Sequence, residues 1–357
     1  TIDLTDALVS AGHRAIVVSS GGPRVAEVER LGGEHITLPV DRKNPYKMWR
    51  NIGALQQIVA DNEVDIVHAR SRVPAWSSLY AARRAGCTFV TTFHGTYNFG
   101  SLLKKAYNSV MARGDRVIAV SEFIARHIID NYKIDPDRIT IIHRGTDRRM
   151  FHPDAVTAAR KIQLAQQWRL PSGAEIALLP GRLTRWKGQL EFIRAIAELG
   201  RDDIVAVLCG SDQGRTAYSD EIRALITELD LDRQVRVVGD CNDMPAAYAL
   251  ASVVVSASNE PEAFGRVAVE AQALGRPIIA TDHGGATETV QDGVTGWRVP
   301  VGDVSAMSTA IGQAIDLTAE EREHLAEQAQ ANVDADFTRD LMCARTLDFY
   351  NHVLGRD

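Results

Sequence analysis

The sequence predicts an α/β protein with two Rossmann-like domains, each built on a parallel sheet. Short apolar segments alternate with helical patterns along most of the chain, which is typical of βαβ units. The alternation breaks near residues 151–154 and restarts at about residue 176. A chain of 357 residues is also long enough for two domains. We place the first domain at residues 1–152 and the second at residues 153–336.

Each predicted strand is a short apolar run, and the segments between the runs carry helical periodicity. In the first domain we expect strands at 15–19, 35–38, 65–69, 87–93, 116–120 and 138–142. In the second we expect them at 176–179, 204–208, 235–238, 253–256, 277–280 and 297–299. The main expected helices are 46–60, 74–84, 102–113, 122–131, 155–168, 304–315, 319–333 and 337–353. The chain opens on a helical pattern, so we expect that a first strand of the sheet is missing before Thr1.

Composition excludes several classes of protein. The net charge of −6 and the pI of about 5.9 argue against a nucleic-acid binder. The four cysteines form no CxxC pair and have no metal-ligand spacing, which favours free thiols in a reducing compartment. No apolar run approaches the roughly 20 residues of a membrane-spanning helix. We therefore expect a cytoplasmic protein without a metal site or cofactor.

The segment from Glu262 to Glu270 is the most informative for function. Glu262 precedes a predicted helix start, whereas Glu270 lies on the apolar stripe of that helix, where a carboxylate is costly unless it is satisfied. Between them, the amides of Phe264, Gly265 and Arg266 form a natural anion site. Carboxylate, anion site and carboxylate match the hydroxyls, diphosphate and hydroxyls of a nucleotide-diphosphate sugar. Alternatively, the two glutamates have this spacing by chance and Glu270 pairs with a core arginine.

Two further loops follow strands of the second domain. Arg182 and Lys187 flank a tight loop with a glycine at each end, where cations can converge on an anion. Solvated loop charges are the simpler interpretation. Gly210 either lets the backbone approach a ligand or forms a plain turn. Because strand ends of an open α/β sheet share one crevice, we expect these loops to face the Glu262–Glu270 segment.

The first domain carries weaker signals. His94 follows a predicted strand and is either a site residue or an ordinary turn or core histidine. Arg70 and Arg72 also follow a strand end, where they would meet an anionic acceptor or simply be solvated. Residues 101–105, Ser-Leu-Leu-Lys-Lys, suit contact with a membrane surface. We favour instead a helix that packs its apolar side on the core.

Taken in order, these residues resemble the family 4 retaining glycosyltransferases of the GT-B fold. In the second half, the matching motifs are Gly181-Arg182…Lys187-Gly188, Glu262-Ala-Phe-Gly…Glu270-Ala, Gly275-Arg-Pro-Ile-Ile-Ala-Thr281 and Gly284-Gly285…Glu288. The first half matches more loosely, at Phe93-His94-Gly95, Val120-Ser121-Glu122 and His143-Arg-Gly-Thr-Asp147…Phe151. The resemblance covers nearly the whole chain.

The resemblance implies a role for each matching position. Arg182 and Lys187 would bind the donor diphosphate, Glu262 the hydroxyls of the donor sugar, and Glu270 the ribose. His94 would sit beside the reacting sugar. The two domains would face each other across a cleft, and the last helix, residues 337–357, would return to complete the first domain. Donor binding in this family generally needs no metal.

The sequence thus predicts a metal-independent hexosyltransferase that uses a UDP-sugar or GDP-sugar and retains the anomeric configuration. The acceptor would be a glycan or glycolipid of the bacterial cell envelope, such as lipopolysaccharide, reached by peripheral contact with the inner membrane face. One alternative is a nucleotide-sugar epimerase or phosphorylase on the same fold. Another is a protein that binds sugar nucleotides without turning them over.

Overall fold

The computed structural model describes residues 1–97 and 100–356, which form two compact units. Unit 1 comprises Thr1–Arg144 and Arg339–Asp357, and unit 2 comprises Gly145–Thr338. Every strand pairing in the described sheets is parallel, so the predicted α/β class is confirmed. All twelve predicted strands are present, and each end lies within one residue of its predicted position.

Unit 1 contains two parallel sheets. Its strands are β1 (Ile16–Ser19), β2 (Glu34–Thr37), β3 (Ile66–Ala69), β4 (Thr88–Phe93), β5 (Arg116–Ala119) and β6 (Ile139–Ile141). β1 and β2 pair with each other, whereas β3 to β6 form a four-stranded sheet in sequence order. The central strands β4 and β5 are almost fully buried. Their buried residues are mostly apolar, with Thr91 and Thr92 of β4 as buried exceptions, because parallel strands are covered by helices on both faces.

The helices of unit 1 connect these strands. They are α1 (Ile2–Ser10), α2 (Val25–Arg30), α3 (Pro45–Asp61), α4 (Arg72–Ala85), α5 (Leu102–Asn108) and α6 (Glu122–Tyr132). Side-chain oxygens of Asn44, Ser101 and Ser121 accept hydrogen bonds from first-turn amides and fix the starts of α3, α5 and α6.

The predicted helix at 102–113 departs from expectation in two ways. The α-helix ends at Asn108 and continues as a 3₁₀ turn. The side chains of Leu102 and Leu103 are not on the core, since they are 85% and 84% exposed. The first buried apolar side chains are Val110 and Met111, in the 3₁₀ turn, so the favoured core-facing interpretation of the leucines is wrong.

Unit 2 is a six-stranded parallel sheet. Its strands are β7 (Glu175–Pro180), β8 (Ile204–Cys209), β9 (Val235–Gly239), β10 (Val253–Ser256), β11 (Ile278–Thr281) and β12 (Trp297–Val299). The spatial order is β12-β11-β10-β7-β8-β9. From β7 the chain adds β8 and β9 on one side and then β10, β11 and β12 on the other, so the strand order reverses between β7 and β10. In doubly wound sheets, ligands bind outside the carboxyl ends of the strands at such a switch point.

Helices cover both faces of this sheet. They are α7 (Ala158–Gln167), α8 (Gln189–Leu199), α9 (Thr216–Glu228), α10 (Met244–Leu250), α11 (Arg266–Ala273), α12 (Ala286–Thr289), α13 (Val304–Ile315) and α14 (Ala319–Asp336). An extensive core cluster of unit 2 includes Phe192 and Ile193 of α8, Ile222 of α9 and Ile311 of α13. Burial of this many large apolar side chains holds the strand ends, and the loops that follow them, in fixed positions.

The last helix, α15 (Arg339–Val353), belongs to unit 1. Phe349 packs on Val90 of β4 and Ile118 of β5, and the Tyr350 hydroxyl lies 2.5 Å from Nδ1 of His68. The predicted start at Phe337 is two residues early, because Phe337 caps the end of α14 in unit 2. No helix in the described residues combines the length and apolarity that crossing a bilayer requires.

Candidate functional site

The site is built from the loops that follow β7 and β10, the two strands at the switch point. The amide of Asn259 in the second loop donates a 2.7 Å hydrogen bond to the carbonyl of Trp186 in the first. Gly188 has φ +71°, and a Cβ there would lie 1.8 Å from the Ala257 carbonyl oxygen. Only glycine lets the two backbones approach this closely. The predicted convergence of these loops is therefore present in the structure.

Lys187 and Glu262 meet where the loops converge. Nζ of Lys187 donates a 2.7 Å hydrogen bond to Oε1 of Glu262, and the side chains are only 12% and 17% exposed. The same carboxylate oxygen accepts hydrogen bonds from the hydroxyls of Ser258 at 2.6 Å and Ser256 at 3.3 Å. The ammonium also lies 4.4 Å from the centroid of the Trp186 ring. The two residues expected to bind opposite parts of the donor thus bind each other in this structure.

Opposing effects act on the pKa of Glu262. Burial alone would raise it, but the charge of Lys187 and hydrogen bonds from Lys187, Ser258 and Ser256 outweigh burial, so the pKa is lowered. The site therefore holds an ionised carboxylate next to a cation. Such a pair is costly to desolvate, which makes it weak evidence for a purely stabilising role.

A small recess opens beside Glu262. It is lined in part by Ser256, Ser258, Thr281 and His283. Nε2 of His283 donates a 2.8 Å hydrogen bond to the Ser258 carbonyl, which also accepts one from the Thr281 hydroxyl at 2.8 Å. The sequence analysis missed these four residues. Each ends or follows β10 or β11, so the strand-end rule that singled out the other residues would have found them.

The loop after β11 closes the other side of the recess. The amide of Gly285 donates a 2.8 Å hydrogen bond to the carbonyl of Glu262. A Cβ at Gly284 would lie 2.5 Å from that same carbonyl oxygen, and one at Gly285 would lie 2.5 Å from the backbone of Phe264. The paired glycines therefore let this loop lie directly on the Glu262–Phe264 backbone.

Helix α11 begins at Arg266, and Gly265 caps it with φ +83°. Its first amides lack partners within the helix, as at any helix start. Glu270 is buried, as its place on the apolar stripe predicted. Its Oε2 accepts a 2.9 Å hydrogen bond from the buried Tyr248 hydroxyl, and its Oε1 a 2.5 Å one from Arg266. These two hydrogen bonds offset the cost of burying Glu270, and its partner Arg266 is itself 60% exposed.

Arg182 is exposed, and no carboxylate of the described residues lies within ion-pairing distance of it. Gly210 makes a close backbone contact, but with the protein itself. A Cβ at Gly210 would lie 2.1 Å from the Gly181 carbonyl oxygen. Gly210 therefore sets the position of the loop that carries Arg182, and the structure shows no plain turn there.

In unit 1, His94 follows β4 in a partly buried position. Burial first, and then the charges of Arg70 and Arg144, lower the pKa of His94 to about 3, so the ring is neutral near pH 7. Within the described part of the chain, its buried Nδ1 has no hydrogen-bond partner. An unsatisfied buried nitrogen at a strand end marks His94 as a candidate for a catalytic role.

The two arginines that follow β3 differ. Arg72 donates a 2.8 Å hydrogen bond to Oδ1 of Asn108, and its guanidinium lies 4.5 Å from the Tyr97 ring centroid. It is therefore engaged in holding the surrounding loops. Burial lowers the pKa of Arg70, and no ion pair or hydrogen bond of its side chain occurs among residues 1–97 and 100–356. Of the two, Arg70 is better suited to meet an anion.

No group of three or more histidine, cysteine, aspartate or glutamate side chains in the described residues has a metal-binding arrangement. The positive charges of unit 2's site are supplied by Lys187 and the exposed Arg182 and Arg266.

Comparison with known proteins agrees with this geometry. Residues 1–149 match the family model described as Glycosyltransferase Family 4, and residues 161–332 match Glycosyl transferases group 1. A curated relative, D-inositol 3-phosphate glycosyltransferase 1 of Catenulispora acidiphila, is 31% identical over 282 residues, which are 72% of this chain. That alignment spans 65% of the relative, and those to similar enzymes span about half to 60%.

Two solved structures cover the whole chain or nearly so. A glycosyltransferase from Rickettsia africae has a TM-score of 0.92 and 35% identity, covering 100% of this chain and 94% of its own. HepE of Anabaena, solved with UDP, has a TM-score of 0.85 and 23% identity. The alignment covers 98% of this chain and 96% of HepE. The second likeness concerns the fold alone. The likeness to the Rickettsia africae enzyme and the two family models together show that this chain belongs to the glycosyltransferases whose two domains are described as Family 4 and group 1.

Proposed function

We propose that the protein transfers a sugar from a nucleotide-diphosphate sugar to an acceptor hydroxyl, with retention of the anomeric configuration. The buried pair of Lys187 and Glu262 carries this proposal. The pair lies at the switch point, where such sheets bind ligands, and a cation suits phosphate as a carboxylate suits sugar hydroxyls. Family membership supports the same reaction.

In this proposal the donor replaces contacts that the protein now makes with itself. The diphosphate takes Lys187 from Glu262 and also engages Arg182 and the first amides of α11. Glu262, held by two serine hydroxyls, then accepts hydrogen bonds from the sugar. Glu270 exchanges Arg266 for the ribose hydroxyls while Tyr248 keeps it oriented.

The chemistry follows from charge that develops on the leaving diphosphate. Lys187, Arg182 and the helix amides stabilise that charge without a metal ion, which is electrostatic stabilisation of the transition state. None of the described residues in the unit 2 site is an evident attacking carboxylate, so we favour a front-face reaction. In it, a leaving phosphate oxygen takes the proton of the acceptor hydroxyl. We propose that neutral His94 hydrogen-bonds to the reacting sugar, as the family resemblance implies.

The donor proposal is tested with a thermal-shift panel of UDP, GDP and their sugars, each with and without EDTA. A specific increase in the unfolding temperature that survives EDTA supports metal-free donor binding. UDP is the first candidate because a protein of the same fold was solved with it. If no nucleotide diphosphate changes the unfolding temperature, the proposed donor site is wrong.

The catalytic proposal is tested with Glu262→Ala. We expect loss of transfer with the fold intact by circular dichroism, and retained configuration of the wild-type product by NMR. A matched control is Glu221→Ala, which removes a half-buried carboxylate of the same unit. Donor incubated alone separates the alternatives. A new epimer would indicate an epimerase, and binding without any product would indicate a non-catalytic protein.

For the acceptor we propose an anionic molecule that meets Arg70. Two candidates differ in size. The curated relatives are named for inositol 3-phosphate, whereas the sequence predicts a cell-envelope glycan such as lipopolysaccharide. Transfer to inositol phosphate that is lost in Arg70→Met would support the first. Transfer only to a lipid-linked glycan would support the second.

We further propose peripheral contact with the cytoplasmic face of the membrane, where nucleotide sugars are available. Leu102 and Leu103 are exposed beside Lys104 at the start of α5, a combination that suits an anionic lipid surface. Vesicles containing phosphatidylglycerol should sediment the protein, and Leu102→Ser with Leu103→Ser should abolish this. Equal sedimentation of the double variant would refute the contact.

A further inference from the structure

The hydrogen bonds of His283 fix the position of its ring proton. Nε2 lies 2.8 Å from the carbonyl oxygen of Ser258 and 3.1 Å from the hydroxyl oxygen of Thr281. A carbonyl oxygen can only accept, and the single hydrogen of the Thr281 hydroxyl already goes to that same carbonyl. An unprotonated Nε2 would therefore meet two oxygens with no hydrogen between them. The neutral ring must carry its hydrogen on Nε2, which leaves a lone pair on Nδ1.

This lone pair on Nδ1 is open to a ligand. His283 is only partly buried, and it lines the recess beside Glu262. Among residues 1–97 and 100–356, no donor makes a hydrogen bond to Nδ1 of His283, and this atom is not sealed off from solvent. It can therefore accept a hydrogen bond from a molecule that enters the recess.

Glu262 supplies a second open acceptor to the same recess. The hydrogen bonds from Lys187, Ser256 and Ser258 all end on its Oε1, and no side chain or amide in the described part of the chain donates to its Oε2. Two acceptors beside small walls suit a compact group that carries two donors, such as neighbouring hydroxyls of one sugar ring. The small residues that line the recess are Gly265, Ala268, Ala280 and Ala286.

We propose that His283 is a specificity-determining residue, whose Nδ1 accepts a hydrogen bond from one hydroxyl of the transferred sugar while Oε2 of Glu262 accepts one from the neighbouring hydroxyl. This inference rests on the proposed donor site and deepens it, because it restricts the sugar to one with two adjacent free hydroxyls at this recess. A sugar without the hydroxyl that meets His283 would leave a desolvated acceptor unpaired, and such a site discriminates against that sugar.

The test measures binding by calorimetry, first of UDP, UDP-glucose, UDP-galactose and GDP-mannose to the wild type. The sugar nucleotide that binds most tightly is then compared with its deoxy analogues, each of which lacks one hydroxyl. We expect two adjacent deoxy positions to weaken binding to the wild type, each by about 10-fold. His283→Gln should bind the free nucleotide diphosphate as the wild type does, bind the intact sugar nucleotide about 10-fold more weakly, and lose the effect of one of those two deoxy positions.

Glutamine separates sugar binding from a purely structural role. Its amide nitrogen takes the place of Nε2 and can still donate to the Ser258 carbonyl, but no acceptor remains where Nδ1 was. If His283 only orients Ser258, His283→Gln will bind sugar nucleotides like the wild type, and only His283→Phe will bind them weakly. His324→Gln is the matched control, because it changes an exposed histidine on α14 of the same unit.

The position of the ring proton is measured separately by ¹⁵N NMR of the nucleotide-free protein. The His283 signals, identified by their absence in His283→Gln, should show the hydrogen on Nε2. A hydrogen on Nδ1, unchanged sugar-nucleotide binding in His283→Gln, or equal weakening of every deoxy analogue in that variant would overturn the role of His283 and leave the donor site standing. If no nucleotide diphosphate binds the wild type, the donor site is wrong and this role falls with it.

Discussion

Replacing Lys187 with methionine should both destabilise the protein and reverse the sign of one part of its pH dependence. Methionine keeps most of the length of the side chain but removes the charge that lies 2.7 Å from Glu262. The carboxylate would keep hydrogen bonds from Ser256 and Ser258, yet it would remain buried without a cation. Breaking a buried ion pair in this way typically costs about 3–5 kcal/mol. We expect about 3 kcal/mol, because the two hydroxyls remain.

The sign of the pH dependence of stability follows from the pKa of Glu262. In the wild type this pKa is lowered, so its stabilising contribution is present above the ordinary pKa of glutamate and is lost as the pH falls. In Lys187→Met, burial becomes the dominant effect and the pKa rises above its ordinary value. Protonation then relieves the buried charge, and the variant recovers stability relative to the wild type between about pH 6 and pH 4.

The assay is urea unfolding at pH 7 and at pH 4, without nucleotide, as a double-mutant cycle with Glu262→Gln. We expect a coupling free energy of about 2–3 kcal/mol at pH 7 and clearly less at pH 4. Arg185→Met is the matched control in the same loop. Its partner is Glu221, and both side chains are more than a third exposed, so its loss should cost less than about 0.5 kcal/mol.

The same variants separate stability from function. Glu262→Gln frees Lys187, so it should bind UDP at least as tightly as the wild type while losing transfer. Lys187→Met should bind UDP weakly and lose about 10²–10³-fold in transfer rate. A coupling below about 0.5 kcal/mol, or unchanged UDP binding in Lys187→Met, would refute the reasoning.

Three other predictions test the remaining contacts. His94→Gln should remove about 2 kcal/mol of the stability that the wild type loses between pH 8 and pH 5, because the lowered pKa of His94 favours its neutral form; identical acid profiles would contradict this. Gly188→Ala should cost more than Gly173→Ala by about 2 kcal/mol in thermal unfolding, since both have positive φ but only the first meets a backbone carbonyl. Tyr248→Phe should weaken UDP binding about 5–10-fold by calorimetry through loss of its hydrogen bond to Glu270, and unchanged affinity would exclude that role.

Most strands were predictable because they are short apolar runs, as expected for buried parallel strands, although β2 (Glu-His-Ile-Thr) is largely polar. β4 and β8, for example, are buried almost throughout. Helix ends were harder to predict. Residues 102–113 have apolar side chains at helical spacing, and this pattern alone cannot tell a leucine packed on a core from one exposed to solvent. Phe337 continues an apolar pattern, yet its burial against Phe264 draws it into the other unit.

The residues of the site were largely predictable, but their contacts were not. Arg182, Lys187, Glu262 and Glu270 stood out by position relative to strands. That Lys187 and Glu262 pair directly depends on loops separated by 75 residues and on a glycine that lets their backbones touch. Likewise, nothing in the local sequence indicated that His283 orients the carbonyl of Ser258.

The division of the chain affects how the protein folds during synthesis. Unit 2 is one continuous stretch whose ends are joined, since the amide of Thr146 donates a 2.9 Å hydrogen bond to the carbonyl of Phe337. Unit 1 is interrupted and receives α15 only after unit 2 has left the ribosome. Until α15 is synthesised, the surface of β4 and β5 that Phe349 covers therefore remains exposed. A nascent chain stalled before α15 should expose that apolar surface to chaperones, while unit 2 is already complete.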